Sequence, residues 1–591
     1  MIKGVKPIDV PLDLGMKDGL ELDVAIVGGG AAGLYTGWRL ATSTKRKTAI
    51  FELSDRVCGR LHSVILPGLE IAGELGGMRY MGQHEIVTAV IEKVFEKELT
   101  PVDFPMGSGD AALDHTRFFY MRGQRFRADA WEIAQGKDEK FVTRYFLDDR
   151  DVGLANDQLF NKIIYDVLMA DPWFAGGEYA KLVSFTPPAS YGFQITAAQW
   201  DIIKPQLTYH FAGPYHKMRV NDMGFWNLIK DQIGEEGYTY LADAGGYYSN
   251  TLNWNAAEAF PYMVGDFSNA SSTYKTIEGG YDRMLLAIAR AYLDKSGTKI
   301  WGKNRLVTFR KARRGEPRKY VLTFHNDSKD ATWSVHADAI VLAVPPRSLA
   351  LIQQNQSDAR FFFEPDGPQS RIQKLIASTI PEPSLKILLA FDYDWWTPDF
   401  GARAGESITD LPMRQCYYFG TDPHDAHSLF LASYNDMRTE TFWASLERVK
   451  REHWQPRAAR HASAKQLKDA LDGITPDLLA PVLMVDEVMA EVRELHGLRS
   501  IPQPYFALYR NWTEDPFGGG YHGWGAGVDV GDVMRSMRKP YPDEDVHVVN
   551  EAWSDQQGWV EGAFCVAEHA LRDYFEAPVP DWFPKGYYLG W

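Results

Sequence analysis

The apolar run Leu22–Val27 ends at Gly28, and Gly28-x-Gly30-x-x-Gly33 then opens LYTGWRLAT, whose apolar positions have helical spacing. A second apolar run, Thr48–Leu53, carries an acid, Glu52, at its end. Strand, glycine turn, helix and strand is the βαβ unit, and these residue types in this order can hold a dinucleotide. Gly28 permits the tight turn, Gly30 lets backbone approach a pyrophosphate, and Gly33 lets helix and strand pack closely. Ala31 and Ala32 sit at the helix N-terminus, where unpaired N–H groups and the positive dipole end face the phosphates. Glu52 can accept hydrogen bonds from ribose hydroxyls. Arg56 and Arg60 follow at once, and guanidinium groups there can neutralise a diphosphate. The competing interpretations are a glycine turn with no ligand and a solvated pair of surface arginines.

Lys386 interrupts the apolar strand Leu385–Phe391. Lysine is seldom buried, and desolvation readily shifts its pKa. The alternative is a head group that snorkels to the surface.

These residues need sheet to position them, and apolar strand runs occur near the start, middle and end of the chain. Besides the two above, KYVLTF and DAIVLAVP lie within 319–345, SLFLAS covers Ser428–Ser433, and a strand, turn and helix span Val546–Tyr574. Glu440–Ile474 reads as polar helix. The expected fold class is α/β: a Rossmann-like domain assembled from discontinuous segments (21–78, 268–350 and 544–578), a mixed-sheet substrate domain (79–115, 232–267 and 379–540), and a helical insertion at 116–231, rich in Trp, Phe and Tyr.

Composition excludes several classes. Lys+Arg number 63 and Asp+Glu 78 in 591 residues, a net charge of −15 that argues against sequence-independent nucleic-acid binding. No apolar stretch approaches the ~18–20 residues of a membrane helix, and the first residues hold no signal-peptide core, so a cytoplasmic protein without membrane association is expected. Cys58, Cys416 and Cys565 form no CxxC pair, and no metal site is expected.

With these motifs in place, the chain resembles the flavin-dependent amine oxidase superfamily, and within it the L-amino acid oxidases. The family motif RxGGR appears as Arg56-Val57-Cys58-Gly59-Arg60, with cysteine in place of the first glycine of the pair. The acid-glycine-glycine segment is Glu74-Leu75-Gly76-Gly77-Met78-Arg79-Tyr80, and a later element is Ile277-Glu278-Gly279-Gly280-Tyr281. The C-terminal flavin motif runs from Asn550-Glu551 to Gly558-Trp559-Val560-Glu561-Gly562-Ala563, with Asn550 where relatives usually have glycine. The resemblance implies FAD, with Glu52 on the adenosine ribose, Arg60 near the diphosphate, and Val307 against the adenine. It further implies Gly77, Met78 and Arg79 near the isoalloxazine, Glu551 on the ribityl-diphosphate side, and Gly558, Trp559 and Val560 beside the ring. Where relatives attach FAD through a cysteine, the loop Gly518–Trp524 has none, so non-covalent FAD is expected.

The resemblance also assigns chemistry. Arg79 matches the arginine that grips a substrate carboxylate, against the alternative that it pairs with a structural acid such as Glu74. Tyr434 resembles a tyrosine that adds a hydroxyl contact to that carboxylate. Lys386 resembles a lysine that holds a water at flavin N5 and assists reaction with oxygen. Gly558 would hold the amine through its carbonyl and Trp559 would wall the pocket. Tyr521, His522 and Trp524 are candidates for an aromatic cage, and Phe225 and Trp226 for the side-chain pocket, each set against plain core packing. The expected reaction is oxidation of an L-amino acid by O2 in a homodimer or higher homo-oligomer. The rivals are an amino acid monooxygenase, a monoamine or polyamine oxidase, and a flavin-binding module without turnover.

Overall fold

The structure is a computed structural model. It describes residues 5–591 apart from 105–114, 247–250, 268–271, 355–357, 366, 368–369, 423–425, 450–451, 460–462, 464, 466, 469–470 and 472–473. Its first sheet grows from Leu20–Val27, whose C-terminal half is wholly buried. This strand pairs in parallel with Thr48–Phe51 on one side and with Ala331–Leu342 on the other. Ile300–Trp301 extends one edge in parallel, and Val546–Val548 joins the end of the 331–342 strand, also in parallel. Asn304–Lys311 and Tyr320–Asn326 complete the sheet as an antiparallel meander. Sheet strands therefore come from the start, middle and end of the chain, as the separated apolar runs predict.

Parallel strands are stable when both faces are covered. Helices Ala31–Ser43, Arg283–Leu293 and Val560–Phe575 cover one face around Leu34, Tyr35, Ile288 and Phe564. The other face packs on Phe309, Phe362, Met537 and Trp553.

The second sheet has the strand order Phe506–Asn511, Ser384–Phe391, Ser428–Asp436, Gln415–Thr421, Glu406–Thr409, Phe118–Met121 and Gln124–Arg127. It is antiparallel except where Glu406–Thr409 meets Phe118–Met121 in parallel, which makes it mixed. Every residue of Ser384–Phe391 is buried. At two edges near the site the packing departs from the sequence expectation. The pair Phe118–Met121 and Gln124–Arg127, assigned to the helical insertion, belongs to this sheet through main-chain pairing. Conversely, the regular elements described within 232–267, which was assigned to the substrate domain, are helices. Phe225–Ala244 and Ala256–Tyr262 share one core with Asn156–Ala170, and Gly234, at φ +69, kinks the first of them. Of the 440–474 segment, the described helix is Met437–Arg448, and several later positions lie outside the described residues.

A buried ion cluster joins the helical layer to the C-terminal motif. The Lys204 ammonium lies 2.8 Å from Asp201, 2.7 Å from Glu258 and 3.7 Å from Asp555. Tyr588 donates its hydroxyl to Asp201. Burial pushes Asp555 up to about 7, with Lys204 opposing the shift. One ammonium thus offsets several carboxylates, and removing it would leave them uncompensated. Lys204→Met should cost about 3–5 kcal/mol in denaturant unfolding, and adding Glu258→Leu should recover part of that loss. A Lys204→Met protein as stable as the parent would show that the cluster does not hold the layers together.

Candidate active site

A cavity of about 500 Å3 runs from Glu52 and Leu306, past the glycine turn, to Gly558, Trp559 and Val560. The turn requires its glycines. Gly28 has φ +106, and a Cβ there would lie 2.4 Å from the Ala343 carbonyl; at Gly33 it would lie 1.9 Å from the Gly28 carbonyl. Gly30 is the N-cap of Ala31–Ser43 and caps it with no side chain. The first N–H groups of that helix are thus presented beside a cavity that Gly30, Ala31 and Ala32 line. Glu52 is held by the Gly29 N–H at 2.7 Å and by the Ser54 N–H and hydroxyl, each at 2.9 Å.

The arginines divide their work. Arg56 lines the cavity while donating to the carbonyls of Val57, Gly59 and Leu61, so it also braces its own loop. Arg60 makes a two-pronged pair with Glu551, at 2.6 and 3.2 Å, and reaches the Gly520 carbonyl at 2.9 Å. Burial alone would raise Glu551, but Arg60 and His522 outweigh it and hold the carboxyl down at about 2. Arg510, unmarked by any motif, also lines the cavity. At the opposite end the wall is Asn304, Arg305 and Leu306. Val307, expected against the adenine, does not line the cavity, because a bulge between Leu306 and Thr308 shifts the strand register. Cys58 adopts φ +80, the left-handed backbone that favours the glycine the family has there. A helix N-terminus and arginines for a diphosphate, a fixed carboxylate for a ribose, and apolar side chains at each end, Leu306 and Ile352 at one and Trp559 and Val560 at the other, fit FAD.

Beyond Gly77, which lines this cavity, the chain turns to Met78, buried in core, and Arg79. The Arg79 guanidinium lies over the Tyr274 ring at 4.7 Å and the Phe104 ring at 5.6 Å. Burial works against its charge, but Tyr417, Tyr274 and Asp266 outweigh that and raise its pKa. Its acidic neighbour is therefore Asp266. Glu74, the alternative partner, is engaged by the Ser63 hydroxyl and the Tyr281 N–H, each at 2.8 Å.

Lys386 is 1% exposed, so its head does not snorkel. Its ammonium donates to the Gly76 carbonyl at 2.5 Å and, more weakly, to that of Glu74 at 3.4 Å, and lies 4.3 Å from the centre of the Tyr434 ring. Burial and the nearby Arg79 push Lys386 down to about 7, while burial and Asp282 push Glu74 up to about 8. Arg79 also acts on Tyr434, and burial raises that hydroxyl to about 12. Lys386, Tyr434 and Arg79 therefore converge.

The aromatic candidates separate. Strand Tyr521–Trp524 alternates its faces. Tyr521 meets Gly558, where an added Cβ would lie 3.0 Å from its ring. His522 turns away to stand 2.9 Å from Glu551, and Trp524 lies in the nucleotide-domain core. Trp559 lines the cavity with His84 against its face, ring centres 4.8 Å apart. Phe225 is core of the helical layer, and Trp226 lies on the surface stacked with Tyr238, so neither walls the site. The insertion contributes Tyr262 and Trp254 instead. The Tyr262 hydroxyl is 3.6 Å from a Cβ built on Gly558, and Trp254 packs edge-on against Tyr262 while donating its indole N–H to Glu382 at 2.6 Å. No sequence signal distinguishes these two from the many other aromatics around them. Phe104 and Tyr417 also border a second cavity, of about 430 Å3, with Glu74, Ala404 and Gly405.

Among the described residues no group of His, Cys, Asp and Glu could hold a metal ion, and no helix is long and apolar enough to cross a membrane. The chain is 25% identical to aplysianin-A of Aplysia kurodai over 94% of its length and 90% of that protein's. It is 22% identical to an L-amino-acid oxidase of Siganus canaliculatus over 67% of its length and 61% of that protein's. The structure of a putrescine oxidase bound to putrescine superposes with a TM-score of 0.59 at 16% identity, over 94% of this chain and all of that one, a likeness of fold. Residues 31–455 match the family model of flavin containing amine oxidoreductases. A flavin cavity built on the glycine turn, closed by the Glu551–Arg60 pair and matched over that span, makes the chain a member of the flavin-containing amine oxidoreductase family.

Proposed function

We propose that the chain is an oxidase of L-α-amino acids, releasing 2-oxo acid, ammonia and hydrogen peroxide, with FAD bound non-covalently. The observation that carries this reading is Arg79, a guanidinium held charged two residues beyond the cavity wall, within the same cluster as Lys386 and Tyr434. The likeness to a fish L-amino-acid oxidase supports it. An amine without a carboxylate offers such a cation nothing, whereas a carboxylate can pair with it in two-pronged geometry that fixes distance and angle.

FAD, when bound, supplies the two-electron acceptor and passes the electrons on to O2. Arg79 and Tyr434 hold the carboxylate, and the Gly558 carbonyl accepts a hydrogen bond from the neutral amine. Tyr521 and Trp559 flank the amine, exclude water, and restrict Cα to one approach. Orientation of this kind accounts for several kcal/mol of barrier. The substrate gives up two electrons and two protons to become an imino acid. Water then adds, ammonia leaves, and O2 takes the two electrons and two protons as hydrogen peroxide. Lys386, titrating near neutrality, can hold and release a proton where oxygen reacts.

Anaerobic mixing should bleach the bound flavin with L-amino acids, and air should restore it with peroxide. If putrescine or cadaverine bleaches it faster than any L-amino acid, the chain is an amine oxidase instead. Arg79→Ala should weaken transition-state binding of L-amino acids by about 2–5 kcal/mol, read as kcat/KM. Unchanged kcat/KM would remove Arg79 from the site.

Lys386→Met should slow reoxidation by O2 more than reduction by substrate. With Glu74 and Arg79 as its charged neighbours, the Lys386 ammonium is favoured below about pH 7. Stopped-flow reoxidation should therefore be faster on the acid side of an inflection near pH 7, and Lys386→Met should lose that inflection. A profile that is the same in both proteins would assign the step elsewhere.

A further inference from the structure

Two helix N-caps meet beside the flavin cavity, and each belongs to a different part of the site. The segment that carries Arg79 runs on through Tyr80–Met81 into the helix Glu85–Ala89, whose N-cap residue is His84. Trp559, which lines the cavity, is the N-cap residue of Val560–Phe575. Neither side chain caps its own helix. Glu561 does so for the first helix, since its two oxygens accept the N–H groups of Ile86 and Val87, each at 2.8 Å. The His84 side chain is thereby left to other use.

His84 is 1% exposed. Its Nδ1 accepts the main-chain N–H of Met81 at 3.1 Å. A backbone N–H can only donate, so Nδ1 carries no proton and the neutral ring holds its proton on Nε2. Burial pushes the imidazole down to about 3, so the ring stays neutral. Nε2 has no hydrogen-bond partner among the described residues. What stands against the ring is the Trp559 indole, with centres 4.8 Å apart and planes inclined at 62°. Inclined rings bring a polarised edge hydrogen against a π face, a partner for a buried N–H that an aliphatic neighbour would not supply.

The two contacts need different chemistry. Phenylalanine would set a ring against Trp559 but leave the Met81 N–H unpaired. Asparagine would accept from Met81 but has no ring. Imidazole does both, and so it ties the main chain two residues past Arg79 to the side chain next to Gly558. In the oxidase reading those are the carboxylate-holding and amine-holding ends. Their separation decides where Cα stands, and a displacement of about 1 Å can cost about 100-fold in rate.

We propose that His84 is a positioning residue for substrate oxidation: by joining the Met81 main chain to the Trp559 ring, it sets the distance between the two ends of the site. The proposal rests on the oxidase reading above and adds to it a residue outside the cavity wall.

The test uses the flavin-loaded full chain as the parent, His84→Phe and His84→Asn. Anaerobic reduction by a saturating L-amino acid should be roughly 10- to 100-fold slower in each variant. The flavin absorbance shift with benzoate, which needs a carboxylate site and no amine, should titrate as in the parent, and reoxidation by O2 should keep its rate. If reduction, benzoate binding and reoxidation all fall together, His84 serves folding alone and the proposal is overturned. Either variant reduced at the parent's rate overturns it too, since the contact that variant lacks then does nothing. The pH profile of reduction should keep the parent's shape in both variants; an inflection lost with His84 would make the imidazole a proton acceptor and end the positioning role. A double-mutant cycle adds an independent readout. With the indole removed in Trp559→Leu, His84→Asn should add little further loss, whereas additive losses overturn the ring contact. If His84→Phe fails to hold flavin, His84→Asn and the cycle decide; loss of flavin from both variants overturns the proposal. If L-amino acids reduce the parent and the variants alike, the proposal fails alone. If no L-amino acid reduces the parent, the oxidase reading fails and takes the proposal with it.

Discussion

An ammonium buried in an apolar strand must find oxygen partners, and at the reactive end of this protein that requirement organises much else. All of Ser384–Phe391 is buried, and Lys386 is the one cationic side chain within it. Its donors are met mainly by the Gly76 carbonyl, with that of Glu74 nearby. The contact ties the second sheet to the acid-glycine-glycine segment, and so fixes where Gly77 meets the flavin cavity and where Arg79 emerges two residues later. Gly76 has no room for a side chain, since a Cβ would lie 2.0 Å from the Arg60 carbonyl. The same few atoms therefore position the lysine, the flavin wall and Arg79. A change at Lys386 is felt by all of them.

A second buried ion group secures the other wall. Glu551 joins Arg60 of the nucleotide loop to His522 of the strand that carries Tyr521, and Arg60 reaches on to the Gly520 carbonyl. Because strand faces alternate, locking His522 against Glu551 turns Tyr521 towards Gly558. His522 thus acts through its neighbour, as a support for the cage and not as part of it. Both walls are set by buried charged groups whose partners are fixed, main-chain carbonyls for Lys386 and Arg60 with His522 for Glu551, and breaking such a contact in low dielectric is expensive. That favours rigid placement of the residues around the cavity.

The parts legible in the sequence are those whose meaning is local. The glycine turn, Glu52, Arg60, Glu551 and the anomalous Lys386 can each be recognised from neighbours within a few residues, because a turn, a cap or a strand interruption is a short-range event. What was misread depends on register or on distant chain. Val307 against Leu306 is decided by a bulge that composition does not encode. Tyr521 and Trp524, three residues apart, leave opposite faces of their strand, and which face meets the cavity is set by its partners; here Trp524 enters the nucleotide-domain core. Tyr262 nears Gly558, and Asp266 accepts the Tyr274 hydroxyl, through a helix and π-turn remote in sequence from the glycine motifs. The edge of the helical layer is likewise non-local, since Phe118–Met121 is claimed by pairing with Glu406–Thr409 rather than by its own propensity.

Burial is common to the acids of this site, yet their protonation differs, and the difference follows from the cations each one meets. Glu551 faces both Arg60 and His522 and is held at about 2. Asp266 shares Arg79 with Tyr417 and Tyr274 and rises to about 6. Glu74 is raised by burial and by Asp282 to about 8, although the Tyr281 N–H, the Ser63 hydroxyl and Lys386 oppose the shift. One desolvating interior thus yields a fixed anion that is structural, an anion whose countercharge is already spoken for, and an acid poised with its lysine near neutrality. Different protonation behaviour need not come from different residue types. It arises here from glutamate and aspartate alone, distinguished by the cations and hydrogen-bond donors that the fold brings within reach.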